Sequence, residues 1–341
     1  MLSASFAQTA TWRFAVSGDS RNCGDVVMPT IAEGVSRNRA EFYWHLGDLR
    51  AIYDFDQDFK QLASGQPKPL SIIDYENQAW NDFIENQIAP FGTMAFFLGI
   101  GNHETTPPKT HADFLIQFAD WLDSPVLREQ RLKDDPKDHK LHTYYHWVER
   151  GIDFINLDNA THDQFDAEQM KWVEALLARD TGDPTIRTVI VGMHAALPDS
   201  ISSGHSMNEW TEGAASGRRV YQDLLRLRNE SHKKVYVLAS HSHFFMDGIF
   251  NTDHWRTNGG VLPGWIVGTA GAVRYPLPPN PSDAKNYKEY VYGYLLATAG
   301  AEDGSVKFEF KQIDKNAVPN GVRDRFTSRF VDECFDGNPV R

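Results

Sequence analysis

Short runs of apolar, β-branched and aromatic residues punctuate the chain at 12–17, 42–46, 94–99, 152–157, 186–192, 234–239, 245–250, 264–268, 291–298 and 305–311. Most are bounded by Gly, Asp or Asn, the pattern of buried strands. Between several of them the apolar positions recur at helical spacing. Over 166–179, Met170, Trp172, Val173, Leu176 and Leu177 form one apolar side, Glu168 and Glu174 face water, and Asp166 is placed to cap the first turn. A second helix is predicted over 217–230, where Val220, Tyr221, Leu224, Leu225 and Leu227 are interspersed with arginines. Segments 25–38 and 74–88 also read as helices. Proline is tolerated only in a first turn, so Pro29 predicts a late start for the former. Strand and helix alternate up to about residue 240, then strands dominate. That order predicts packed sheets covered by helices, an α/β layered domain. The expected organisation is a leader over 1–10 and a single domain over 11–341. The charged stretch 128–140 reads as a solvated excursion. The proline-rich stretch 276–282, just after Gly271-Ala272-Val273-Arg274, reads as an exposed loop on the rim of a site.

Composition narrows the functional classes. With 12% aromatic residues, the chain can fill a sizeable core. A net charge of −12 argues against a broad nucleic-acid-binding face. It also denies an anionic substrate any global steering, so local cations must attract it. No apolar run approaches the ~20 residues of a membrane span. The segment Leu2 to Thr9 resembles the tail of a secretory signal peptide, with Ser5 and Ala7 at cleavage-site spacing before Gln8. A periplasmic or secreted location is therefore expected. The two cysteines, Cys23 and Cys334, suit one disulfide in an exported protein or two separate buried thiols. A bridge would tie the C-terminal segment close to Asp19. Oligomeric state is not legible.

The chemistry lies in strings that follow the predicted strands: Ser17-Gly18-Asp19, Leu46-Gly47-Asp48, Gly101-Asn102-His103-Glu104, Gly192-Met193-His194 and Ser240-His241-Ser242-His243. A side chain placed straight after a strand is held by a rigid frame and reaches a cleft at the strand end. Carboxylate oxygens suit hard divalent ions, and imidazole suits borderline ones. Two carboxylates, one amide and three imidazoles suit two adjacent ions, with one imidazole left over. Such pairs lie roughly 3.5–4 Å apart, lower the pKa of a shared water and orient it for in-line attack on phosphorus. Asp48 is the expected bridge between them. His103 is expected to donate a proton to the leaving oxygen or to hold the phosphoryl group. Among the other histidines, His45 is expected in the core, and His111, His139, His142, His146 and His232 on the surface.

The ordered set resembles the calcineurin-like metallophosphoesterase superfamily, which includes purple acid phosphatases. Its pattern is Asp-x-His, Gly-Asp, Gly-Asn-His-Asp/Glu, His, then Gly-His-x-His, and the likeness covers residues 12 to about 273. The resemblance implies a four-layer α/β/β/α sandwich of two mixed sheets flanked by helices. It also implies two divalent or mixed-valence ions drawn from Fe, Mn and Zn. Carried over by position, Asp19, Asp48 and His243 would bind the first, and Asp48, Asn102, His194 and His241 the second. Asn102 and His103 would also meet the substrate. Two departures stand out. Ser240 replaces the usual Gly, a mild change. Arg21 stands where a metal-binding His is usual, and guanidinium cannot ligate a cation. Purple acid phosphatases use a Tyr three residues after the second motif Asp. That position is Ala51 here, with Tyr53 two residues further on as a substitute ligand. Other ways to complete the first ion are Asn22 or an extra water, and a weak first site is a further outcome. Arg21 is expected either to clamp a substrate phosphate or to pair with a nearby carboxylate. The expected function is a metal-dependent phosphoester hydrolase acting on a small-molecule monoester or diester. The alternative is a catalytically weakened relative that binds metal or phosphate.

Overall fold

The computed structural model describes residues 11–65, 68–300 and 302–337, so the leader over 1–10 lies outside the described residues. Its strands are β1 (Trp12–Ser17), β2 (Phe42–His45), β3 (Ala95–Leu98), β4 (Tyr145–Glu149), β5 (Ile152–Asn156), β6 (Thr188–Gly192), β7 (Lys234–Ala239), β8 (Phe245–Asp247), β9 (Gly264–Val267), β10 (Asn286–Lys288), β11 (Tyr292–Ala299) and β12 (Lys307–Ile313). They form a five-stranded sheet in the order β12-β11-β1-β2-β3 and a seven-stranded sheet in the order β10-β8-β9-β7-β6-β5-β4. β1, β2 and β3 are parallel, as are β5, β6, β7 and β9, while the outer pairings are antiparallel. Both sheets are therefore mixed.

Alternation along each strand assigns the faces. Trp12, Phe14 and Val16 of β1, with Phe42 and Trp44 of β2, face the other sheet. There they meet Trp147, Phe154, Ile190, Leu238 and Val267 in an aromatic-rich layer. Opposite faces bury Ala15 and Tyr43 against helices Gly24–Arg37 and Ile72–Phe83, and Val235 and Val237 against helices Ala167–Gly182 and Thr211–Ser231. The result is the expected four-layer α/β/β/α order. Trp44 locks the two sheets together. Its indole N–H donates to Asn156 Oδ1 at 3.0 Å, and a Cβ on Gly192 would lie 2.3 Å from its ring.

Several expectations need correcting. Helix Gly24–Arg37 contains Pro29 in its interior and does not start late. Its first turn is set by the Cys23 carbonyl, which accepts from the Val26 and Val27 N–H groups. Part of 128–140 belongs to helix Pro125–Asp134. Helix Ala167–Gly182 begins as predicted, with the Asp166 side chain accepting from the Gln169 N–H at 2.8 Å. His45 is buried as expected, but so is His146. His146 lies between Asp134 and Asp153, which hydrogen bond its two ring nitrogens. Cys23 and Cys334 are joined in a disulfide with Cα atoms 6.0 Å apart, tying helix Ser328–Asp336 to the segment just after Asp19 and Arg21. No helix among the described residues is long and apolar enough to cross a membrane.

Candidate metal centre

The parallel strands of both sheets end along one seam, and the predicted ligands lie on the loops just beyond them. Asp19 follows β1, Asp48 follows β2, Asn102 and His103 follow β3, His194 follows β6, and His241 and His243 follow β7. Loop-to-loop backbone bonds fasten the rim: Asp19 N–H to Gly47 O at 3.0 Å, Ser20 N–H to Asp48 O at 2.9 Å, and Ala272 N–H to Asp19 O at 2.9 Å. Asp19, Asp48 and His241 all adopt left-handed backbone, with φ of 61°, 60° and 64°. Non-glycine residues enter that region at a cost of order 1–3 kcal/mol and persist where the surroundings over-determine them.

Four acceptors converge at one end of the centre. His194 donates Nδ1–H to the Leu46 carbonyl at 3.0 Å, which leaves its Nε2 lone pair facing inward. That atom lies 3.0 Å from Asn102 Oδ1, 3.0 Å from His241 Nδ1 and 3.3 Å from Asp48 Oδ1. Ligand atoms of Asp48, His194 and His241 all lie within 4.8 Å of one another. Among the described residues, only the His103 backbone N–H, 3.1 Å from Asp48 Oδ1, reaches this group of acceptors, and the excess asks for a cation. The same negative field acts on His194 itself: burial pushes it down, but Asp48, Asp19 and the Leu46 carbonyl raise it to about 10, so a proton on Nε2 competes with an ion for this place. These four residues fit a borderline divalent ion.

The other end is built differently. Asp19 Oδ2 accepts from the Ser240 hydroxyl and from the His241 N–H at 2.7 Å, and Oδ1 lies 3.1 Å from His243 Nε2. His243 donates Nδ1–H to Val273 O at 2.5 Å, and His103 donates Nδ1–H to Ala51 O at 2.6 Å. Both Nε2 lone pairs then face the Arg21 guanidinium. Nη1 donates to His103 Nε2 at 2.5 Å and Nη2 to His243 Nε2 at 3.1 Å. Arg21 Nε lies 3.7 Å from Asp48 Oδ2, a buried oxygen with no hydrogen-bond partner among the described residues. Arg21 therefore sits among Asp19, Asp48 and His243, the residues expected to hold the first ion, and that half of the set does not fit a metal. Tyr53 is not drawn into the donor set. It is 61% exposed and its ring lies against His103, with centroids 4.9 Å apart. Tyr275, just ahead of the Pro-rich stretch 276–282, reaches the rim: it stacks on His243 at 4.0 Å, and His205 lies between Tyr275 and His241.

Two supports carry no role in the sequence reading. Glu104, fully buried, accepts from the N–H groups of Asp48 (2.9 Å), Leu49 (2.9 Å) and Gly101 (2.8 Å), so one carboxylate sets two ligand loops. Arg50, also fully buried, bonds Asp25, Asp58 and Asp82. Beside it, Asp56 accepts from Asn22 N–H at 2.5 Å and Tyr75 Oη at 2.5 Å. This network fixes the segment that carries Arg21. The signal for Glu104 was its place in the Gly-Asn-His-Glu string. For Arg50 there was none, because its acidic partners are spread from residue 25 to 82.

No family model matches the chain, and no curated protein matches it. Solved structures do. The chain is similar to purple acid phosphatase PPD1 from yellow lupin (Lupinus luteus) seeds, at 17% identity and a TM-score of 0.59, covering 89% of this chain and 52% of that one. It therefore spans about half the length of the lupin protein. It is also similar to PhoD, at 13% identity and a TM-score of 0.54, covering 90% of this chain and 72% of that one. GAP50, the anchor in the inner membrane complex of Plasmodium, matches at 10% identity and a TM-score of 0.50, covering 97% and 96%. The likeness is one of fold, and it agrees with the expected sandwich of two mixed sheets flanked by helices.

Proposed function

We propose that this protein is a metal-dependent phosphoester hydrolase. The observation that carries the reading is the convergence of Asp48 Oδ1, Asn102 Oδ1, His194 Nε2 and His241 Nδ1, with His103 and Arg21 alongside. An ion held there would polarise a phosphoryl oxygen and make a water acidic enough to attack phosphorus. The chain's own groups do the rest. Arg21 uses one N–H of each Nη on an imidazole and keeps another for a phosphoryl oxygen, so its fork and Asn102 hold the substrate. His103 Nε2 is the proton-handling atom, because its Nδ1–H is committed to Ala51 O. Burial, with Arg21 adding to it, lowers its pKa despite Asp48. Once Arg21 turns from Nε2 to the phosphoryl group and Nε2 takes a proton, the resulting imidazolium is a strong acid toward the leaving oxygen. The Cys23–Cys334 bridge supports an oxidising compartment, periplasmic or extracellular.

Protein loaded with Mn, Zn, Fe or Mg is expected to hydrolyse para-nitrophenyl phosphate or its bis ester, which separates monoester from diester preference. His103→Ala is expected to lower kcat about 10²–10⁴-fold with metal content intact, and His241→Ala to lose bound metal. A second reading draws support from Arg21 lying among the first ion's ligands: a weakened relative that binds metal or phosphate without turnover. Full metal occupancy with no hydrolysis of either ester would establish that reading instead.

A further inference from the structure

We propose that Arg21 is a built-in cation standing in for the first metal ion, so that the centre takes one ion per chain. This rests on the metal-dependent reading above and deepens it. The guanidinium is anchored on three sides, by His103 Nε2 at 2.5 Å, His243 Nε2 at 3.1 Å and Asp48 Oδ2 at 3.7 Å. Two of these, Asp48 Oδ2 and His243 Nε2, are atoms a first ion would need. An ion bonds such atoms at roughly 2.0–2.2 Å, a position inside the volume the guanidinium fills. Arg21 stays charged at every working pH. A metal would therefore have to expel it against two hydrogen bonds and the attraction of Asp48. Charge counting points the same way. Asp19 and Asp48 bring two negative charges, Arg21 returns one positive, and one divalent ion leaves the centre with a single net positive charge. A second divalent ion beside Arg21 would leave three.

The backbone holds Arg21 in place. Its neighbour Asn22 is tied by N–H to Asp56, and the next residue, Cys23, is bridged to Cys334. The side chain is 11% exposed, so it is enclosed by the centre. The functional consequence is a division of labour. Guanidinium neutralises phosphoryl oxygens and fixes their geometry through paired N–H groups, but it cannot acidify a water. Activation of the nucleophile would fall entirely to an ion that Asp48, Asn102, His194 and His241 would hold.

The test is a count of Mn²⁺ alone. The purified full chain, stripped and titrated with Mn²⁺, is expected to bind one ion per chain and to give the six-line electron paramagnetic resonance spectrum of an isolated ion. Arg21→His restores the residue type the resemblance calls for and is expected to bind two, with a spin-coupled spectrum. Two ions in the wild type would overturn the role of Arg21 and leave metal dependence standing. None in the wild type would overturn metal dependence itself, and this inference with it. A folded Arg21→His that still binds one would show that Arg21 does not hold the second place. Should Arg21→His fail to fold, the wild-type count and spectrum decide alone.

Discussion

Replacing Glu104 by Gln changes one buried atom and leaves the shape alone. The carboxylate accepts three backbone N–H bonds, from Asp48 and Gly101 on Oε2 and from Leu49 on Oε1. An amide serves them best by turning its oxygen toward Asp48 and Gly101. Its NH₂ then meets the Leu49 N–H, and a buried donor faces a donor. Losing that charge-assisted bond costs about 1.5–3 kcal/mol. The two remaining bonds weaken as the acceptor loses its charge. Against this, burial and Asp48 already raise the Glu104 carboxyl to about 8, so the anion is itself costly here and Gln returns part of the loss by removing it. A net destabilisation of about 2–3 kcal/mol follows from those magnitudes. Because two of the three donors set the loops of Asp48 and Asn102, part of it should appear as weaker ion binding. About half of it converts to a rise in Kd of roughly tenfold. Urea unfolding should show a lower midpoint at unchanged slope, and Mn²⁺ titration the higher Kd. A variant matching wild type in both midpoint and Kd would refute the bracing role of Glu104.

Two further perturbations probe features away from the metal. His146 is pushed down by burial but raised overall, by hydrogen bonds to Asp134 and Asp153, from 6.5 to about 9. A folded pKa above the unfolded one gives stability that is complete below pH 6.5 and lost as pH rises through about 9. At about 1.4 kcal/mol per unit, the loss is about 3 kcal/mol, and His146→Gln should flatten this decline in urea midpoints measured from pH 6 to 10. An unflattened profile would locate the proton elsewhere. Reduction of Cys23–Cys334 opens a loop between residues 311 apart, for which chain entropy sets a ceiling of about 5–6 kcal/mol. Melting with and without reductant, with thiols counted, should show a clear fall in Tm. An unchanged Tm with both thiols free would rule that out.

The fold was legible where burial is uniform. β1 and β7 occupy the spans their apolar runs predicted, because both faces of each strand meet apolar layers. β4 was missed because one of its faces carries an ion network. His146 and Glu149 break the apolar run, and the partners of His146 come from residues 134 and 153. β10 is an exposed edge of three residues, Asn286-Tyr287-Lys288, with nothing to distinguish it from a loop. The convergence of Asp48, Asn102, His194 and His241 was legible because each string sits at the end of a strand. The order of the strings held the information that no single string did. What Arg21 does was legible only as a departure, since its position depends on two imidazoles whose orientation is set by carbonyls at Ala51 and Val273. Pro29 misled in the other direction. Local backbone preference argued for a later helix start, and the tertiary anchors of residues 23–25 prevailed.

The left-handed backbone shared by Asp19, Asp48 and His241 has a consequence for how this protein can change. Glycine is the residue that backbone prefers. At each of the three positions it would relieve strain and delete a side chain that lines the centre in the same step. Selection for thermal robustness alone would therefore erode the centre one glycine at a time while leaving the sandwich intact. A descendant that kept the fold and gained stability, yet lost the polar lining of this centre, is the direction in which this backbone drifts when function no longer holds it.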